Sequence, residues 1–525
     1  MMVAKQFTCV ISFKLQSLIQ GFIVALTLLA VLQSYSSIAS AASSAHIKGA
    51  FGPLHNWPII PIAMMLMPDG RVFAYGTNTA GAQGATMYYA IWDPNLGTNI
   101  NAFTVLPNTT NTDIFCAGHA LIPATGQALI VGGDALVNGL RNYANSDVNI
   151  FDPATDTLIR QPQQMAYKRW YATSVTMPNG EHVVLGGRND RFFAGSTTKP
   201  ATTASYSPTP EVRAIDGSWR SLTTATDDYA YGALGAASWY YPRAWVNPQG
   251  KIFILSHWDA AYKLDITNTG TVTKYQTTKP KSGRWELPSV MYAPGKIFSL
   301  RRNRTAITVN INGSGDPVVS PAGTPSVERL YGSTTVLADG KVWINGGSSS
   351  GNSLTGATLT TELWNPATNT WSMAANASTY RLYHSTSLLL PDGTIITGGG
   401  GAPGPLKQLN GEIYYPPYLF KKDGSGQLAF RPEIIDAPTT TIGWNQNFSV
   451  ESDEVISRVT LLRVGAVTHN LDAEARFFNL AVPIKNKIVT LKTPANANIA
   501  PPGYYMLFVW NSIGVPSIAR IIHIS

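Results

Sequence analysis

A phenol and an imidazole stand side by side in the stretch Arg381-Leu382-Tyr383-His384-Ser385, just ahead of an apolar strand that ends in the turn Pro391-Asp392-Gly393. A strand and a tight turn need no such pair, so the question is whether Tyr383 and His384 pack or bind a metal. The chain has two cysteines. Cys9 falls in an N-terminal apolar segment, which leaves Cys116 without a partner for an intramolecular disulfide. Phenolate and imidazole together suit a tetragonal Cu(II) or a ferric iron, whereas a structural zinc would want more thiolates. A thiol beside a phenol at a redox metal can also be oxidised to a thioether, lowering the phenol's oxidation potential and letting it store one electron.

What brings these residues together is a repeated register. An apolar strand, a glycine turn and a second apolar strand recur around Gly70, Gly126, Gly180, Gly250, Gly295, Gly340 and Gly393. Four of the units then carry a diglycine, Gly132-Gly133, Gly186-Gly187, Gly346-Gly347 and Gly399-Gly400. A spacing of about 45 to 70 residues with a hairpin in each unit fits kelch-type blades of four strands, and Trp364 and Trp371 stand where such repeats keep aromatics. A β-solenoid would need shorter, more uniform repeats. Nine or ten residues before the turn glycine, six units place Cys116, Tyr171, Tyr241, Trp285, Tyr331 and the pair Tyr383-His384; the first has Ile60-Pro61. If the blades superimpose, these positions form one ring around the central channel.

The composition agrees with such a fold. Of 525 residues 44% are hydrophobic and 13% charged, with 46 Gly and 34 Pro, and Val, Ile, Thr, Tyr and Trp recur in short blocks between turn formers. The spacing predicts an all-β protein: a seven-bladed kelch-type β-propeller over 42–430, then an immunoglobulin-like (early-set) β-sandwich over 431–525. In the latter, strands recur without the turn-plus-diglycine unit. Residues 1–41 read as a signal peptide, with Lys5 and Lys14 ahead of the uncharged run Gly21 to Leu32 and a small-residue cleavage site at Ala39-Ser40-Ala41. The run is short for a membrane anchor of roughly 20 residues. The mature protein is therefore expected without a membrane span, secreted to an extracellular or periplasmic space. A formal charge of +8, two units of it in the leader and none of it clustered, is no nucleic-acid footprint.

These residues resemble the galactose oxidase and glyoxal oxidase family of copper radical oxidases along the whole mature chain. Phe115-Cys116-Ala117-Gly118 resembles the family's cross-linking cysteine segment. Arg169-Trp170-Tyr171-Ala172-Thr173 resembles the segment of the cross-linked tyrosine, and its Arg-Trp-Tyr start is closer to the glyoxal oxidase branch. Arg381-Leu382-Tyr383-His384-Ser385 resembles the axial tyrosine and first histidine. Leu462-Arg463-Val464-Gly465-Ala466-Val467-Thr468-His469 resembles the loop that sends a second histidine into the channel, and Pro502-Gly503-Tyr504-Tyr505-Met506-Leu507-Phe508-Val509 the final hairpin of that domain. The resemblance implies one copper ion held by Tyr171, His384 and His469, with Tyr383 axial and acting as general base. It also implies a Cys116–Tyr171 thioether radical cofactor. The reaction implied is oxidation of a small aldehyde or primary alcohol by O2, forming H2O2.

There are departures. Where galactose oxidase covers the thioether with a tryptophan, two residues past the diglycine, this chain has Asn189. Trp285, in register with Cys116, is the candidate replacement; Trp170, next to Tyr171 on a strand, is expected to face away. His119 could stand behind the ligands, although an ordinary hydrogen-bonded strand histidine is the simpler reading, and Arg284 reads as a solvated arginine. Asn108-Thr109-Thr110 and Asn376-Ala377-Ser378 are glycosylation motifs only in a eukaryotic secretory route. The competing class is a non-catalytic secreted propeller associated with glycan or cell-wall material, but it would be expected to have lost at least one of the five site positions. A quinone or other-metal oxidase leaves the cysteine unexplained.

Overall fold

The computed structural model describes residues 43–190, 205–232 and 238–525. The leader expected at 1–41 lies outside them. The architecture is all-β and propeller-like. Among the described residues, seven antiparallel runs of four strands follow one another. They start with Pro61–Leu66, Gly118–Leu121, Thr173–Thr176, Arg243–Val246, Ser289–Ala293, Leu330–Val336 and Ser385–Leu389. The second run carries an inserted hairpin, Asp134–Val137 with Leu140–Ala144. The seventh is completed from the other end of the chain, where Ala50–Phe51 pairs with Asn410–Tyr415.

The turn and diglycine signals have separate causes. All seven turn glycines adopt φ between 65° and 90°, the left-handed region that glycine enters without the steric cost of a side chain. The diglycines instead let neighbouring runs approach. A Cβ on Gly132 would stand 2.1 Å from the Arg169 carbonyl oxygen, and one on Gly346 2.7 Å from that of Arg381. First strands pack side by side: Thr173–Thr176 touches both Gly118–Leu121 and Arg243–Val246, and Ser385–Leu389 touches both Leu330–Val336 and Pro61–Leu66. Between the third and fourth runs Val175, Val183, Val212, Ala244, Ile254 and Leu264 are buried together. Each branched side chain so removed from water contributes about 1.5–3 kcal/mol.

The C-terminal part is a sandwich. One sheet holds Ile434–Asp436, Asn447–Ile456 and Asn486–Lys492, the other Phe477–Leu480, Arg458–Arg463, Gly503–Trp510 and Arg520–Ile524. Strand Arg458–Arg463 is covered on both faces. Val459 and Leu461 enter the sandwich core. Thr460 points the other way and donates its hydroxyl to the Ala338 carbonyl at 3.0 Å.

One further hairpin joins the two parts. Ala466–Thr468 pairs antiparallel with Pro61–Leu66, and Leu471–Asp472 pairs in parallel with Ser289–Ala293. The first and fifth runs are thereby merged into a ten-stranded sheet through a segment of the sandwich. His469 and Asn470 form the tip of that hairpin.

Candidate active site

The register positions come together, and they are neighbours through their backbones. The Tyr171 N–H donates to the Cys116 carbonyl at 3.1 Å, and the Tyr241 N–H to the Tyr171 carbonyl at 2.8 Å. Cys116, Tyr171, Tyr241, Tyr331 and His384 all have positive φ, of 55°, 71°, 37°, 62° and 68°. His469, arriving from the sandwich, has φ 55°. Left-handed backbone at a non-glycine residue costs about 1–3 kcal/mol and persists where the surroundings over-determine it. Here it breaks strand alternation at or just before the start of each strand, so adjacent side chains can turn to the same side. Tyr383 and His384 do this, their rings stacked with centroids 3.8 Å apart.

Arginines two residues upstream hold the tyrosines. Arg169 pairs with Glu211 at 2.9 Å and donates to the Gly186 carbonyl at 2.6 Å. Arg329 pairs with Glu362 at 2.7 Å and donates to Gly346 at 3.0 Å. Arg381 donates to Gly399 at 3.0 Å, with Glu412 3.6 Å away. Each guanidinium fork thus ties a site tyrosine to a diglycine and to a buried carboxylate of its own run.

At the centre, the Cys116 thiol lies 3.4 Å from His384 Nε2 and 3.6 Å from His469 Nε2. The three possible donor atoms fall within 4.8 Å of one another. The Tyr171 and Tyr383 hydroxyls are 2.6 Å apart, and the thiol also interacts with the Tyr171 hydroxyl. Both imidazoles have a fixed tautomer. His384 Nδ1 is 2.6 Å from the Gly401 carbonyl, which can only accept, so Nδ1 carries the proton. His469 Nδ1 is 2.7 Å from Thr468 Oγ1, whose own proton goes to the Ile62 carbonyl at 3.2 Å. Both Nε2 lone pairs are therefore free and aimed inward, the arrangement that orients metal-binding histidines.

Burial sets the electrostatics. It lowers His384 to about 3 and His469 well below the ordinary imidazole range, so both are neutral and able to donate a lone pair. It pushes the phenols of Tyr171 and Tyr383 and the thiol of Cys116 up, because their anions would lose hydration there. Two free imidazole nitrogens, a thiol and two phenols that need a cation in order to ionise fit a bound copper ion, by number and by chemistry.

The flanking aromatics differ from the expectation. Trp170 does not face away: its ring lies 4.4 Å from that of Tyr171, because both residues precede the strand Thr173–Thr176 and Tyr171 is left-handed. Its indole N–H is anchored on the Phe115 carbonyl at 3.1 Å. Tyr240 stacks on Tyr171 at 4.7 Å, and Trp285 lies one ring further out, 4.1 Å from Tyr240 and 6.5 Å from Tyr383. Sequence reasoning missed Tyr240, whose one signal was adjacency to the register residue Tyr241. It also missed Thr468 and Asn470 on either side of His469. His119 bonds to the Tyr75 hydroxyl at 2.7 Å. Arg284 is ion-paired with Glu286 at 2.6 Å rather than simply solvated. Asn108 is buried and donates its amide to the Ala85 and Thr112 carbonyls, so it is no glycan acceptor in the folded chain, while Asn376 is exposed.

Comparison with known proteins agrees with the geometry. A family model described as galactose oxidase-like, early set domain, matches residues 431–524. A galactose oxidase of Gibberella zeae is 29% identical over 513 residues, covering 91% of this chain and 71% of that protein. An aldehyde oxidase of Arabidopsis thaliana is 25% identical over 499 residues, covering 82% and 75%. A solved fungal alcohol oxidase of the AA5 family, in complex with copper, shares the fold with a TM-score of 0.77 at 24% identity, covering 91% of this chain and 99% of its own. Over most of its length the chain is thus similar to galactose oxidase and to plant aldehyde oxidases.

Proposed function

We propose that the protein is a secreted copper radical oxidase that converts a small aldehyde or primary alcohol with O2 and releases H2O2. The observation that carries this reading is the convergence of two inward Nε2 atoms, a thiol and a pair of hydrogen-bonded phenols at one buried point. His384, His469 and Tyr171 would hold the copper together with Tyr383. The ion would supply one-electron redox chemistry and the positive charge that lets a buried phenol ionise. Tyr383 is half-buried, and its hydroxyl touches that of Tyr171. As a phenolate it would take the proton of the substrate hydroxyl. Tyr171, joined to Cys116 as a thioether, would serve as the one-electron store that accepts a hydrogen atom from the substrate carbon. Tyr240 and Trp170 cover its two sides and would exclude water from it; Trp285 would act through Tyr240.

In the same reading, residues 42–430 form a closed seven-bladed kelch-type propeller, 431–525 the sandwich, and 1–41 a leader removed on export. Intact-mass and peptide analysis of copper-loaded protein tests the cofactor: the linked Cys116–Tyr171 peptides should weigh two hydrogens less than their sum. Unlinked peptides after full loading under oxygen would sink the radical mechanism. A peroxide-coupled panel of glyoxal, methylglyoxal, glycolaldehyde and galactose then identifies the substrate class.

A further inference from the structure

Several buried arginines are paired with a glutamate, and Arg243 is not. Arg169, Arg329 and Arg463 pair with Glu211, Glu362 and Glu474. Arg243 is 1% exposed, and among the described residues no carboxylate lies within ion-pair distance of it. Its partners are neutral oxygens. Nη1 donates to the Tyr241 carbonyl at 2.8 Å, and Nη2 to the Trp285 carbonyl at 3.0 Å and to Asn470 Oδ1. Asn470 in turn donates to the Glu286 carbonyl at 2.6 Å. One guanidinium thus joins the fourth run, the fifth run and the hairpin tip, one residue from His469.

Removing a cation from water without a counter-charge is costly, so its retention here calls for a reason that packing alone does not supply. Two consequences follow from its place. The fork fixes the tip, and with it the direction of the His469 lone pair. The uncompensated charge also acts on the centre across a weakly screened interior, where Coulomb interactions are several times stronger than in water. A nearby positive charge favours the state with one more electron.

We infer that Arg243, acting through Asn470, is a positioning and potential-tuning residue that raises the reduction potential of the metal centre. This rests on the copper reading above. The test uses full-chain, copper-loaded protein, with the Cu(II)/Cu(I) midpoint read by mediated titration and the copper hyperfine splitting by electron paramagnetic resonance. Arg243→Gln should lower the midpoint. Arg243→Lys, which keeps the charge but not the fork, should hold the midpoint while changing the hyperfine splitting. Asn470→Asp, which sets a carboxylate against the guanidinium, should also lower the midpoint, and it decides the matter if Arg243→Gln does not fold. Wild-type midpoints in both Arg243→Gln and Asn470→Asp would overturn the inference and leave the copper reading intact. Failure of the wild type itself to take up copper would overturn both.

Discussion

The two histidines of the site arrive from two kinds of architecture. His384 stands at a register position of a repeat, ahead of a strand that has six counterparts. His469 sits at the tip of a hairpin that the sandwich pushes between the first and fifth runs. The repeat supplies positions by periodicity, and Tyr171, Tyr331 and Tyr383 are each held by an arginine and a diglycine. The hairpin has no counterpart, so its tip is held by individual contacts: Thr468 to Ile62, and Asn470 to Arg243 and Glu286. A periodic scaffold can therefore place thiol, phenols and one imidazole, while the last donor comes from a different domain.

The largest expected effect tests the repeat side. Cys116→Ser keeps the shape of the register position but removes the sulfur that would join Tyr171. Turnover should fall by roughly 100- to 10,000-fold, the scale of losing a positioned catalytic group, while copper still binds through the histidines. Steady-state peroxide assays with parallel metal analysis check this; undiminished turnover would count against the thioether reading.

The next effect falls on the scaffold. Gly132→Ala puts a Cβ 2.1 Å from the Arg169 carbonyl oxygen at φ 69°, whereas Gly70→Ala meets nothing within 4 Å at φ 88°. The first should lose about 3 kcal/mol or more, by clash and strain together, and the second about 1 kcal/mol by strain alone. Equal denaturation midpoints would show that the diglycine is not a device for close approach.

On the hairpin side, Thr468→Val keeps the volume and removes the acceptor of the His469 Nδ1 proton. Copper affinity should drop about 10- to 100-fold, as for other partners standing behind metal ligands. Competition with a copper chelator measures it, and an unchanged constant would mean that the hairpin backbone alone orients His469.

The same division explains what could be read from residue order. Cys116, Tyr171, Tyr383 and His384 are legible because a turn glycine lies at a constant distance after each of them. His469 has no such ruler and was visible only through resemblance. Trp170 was misread because alternation holds within a strand, and the left-handed backbone at Tyr171 is set by tertiary contacts that no glycine announces. Tyr240 and Asn470 were silent for a related reason. Each is defined by what it touches across runs, Tyr171 for the one and Arg243 with Glu286 for the other.

The smallest effect is spread over a range of pH. Burial lowers His182 to about 4 from an ordinary value of 6.5; its Nε2 has no partner and its Nδ1 is 3.5 Å from Thr176. Below pH 6.5 the unfolded chain takes up a proton there, and the folded chain does not until about pH 4. The stability of this neutral histidine is therefore complete above 6.5 and declines as pH falls through that window, by at most about 1.4 kcal/mol per pH unit. Buried acids oppose the trend, because Asp472, raised to about 7, and Asp134, raised to about 6, bind protons in the folded state first. The informative quantity is thus a difference between variants. Urea denaturation of copper-free protein at pH 7, 6 and 5 should show a shallower decline for His182→Gln than for the wild type. On the sandwich, His523 is half-buried and already bonded to Thr441 and to the Pro123 carbonyl, so His523→Gln should alter the slope less. Equal slopes for the two variants would mean that the interior of the repeat region carries no more proton-linked stability than the surface of the sandwich.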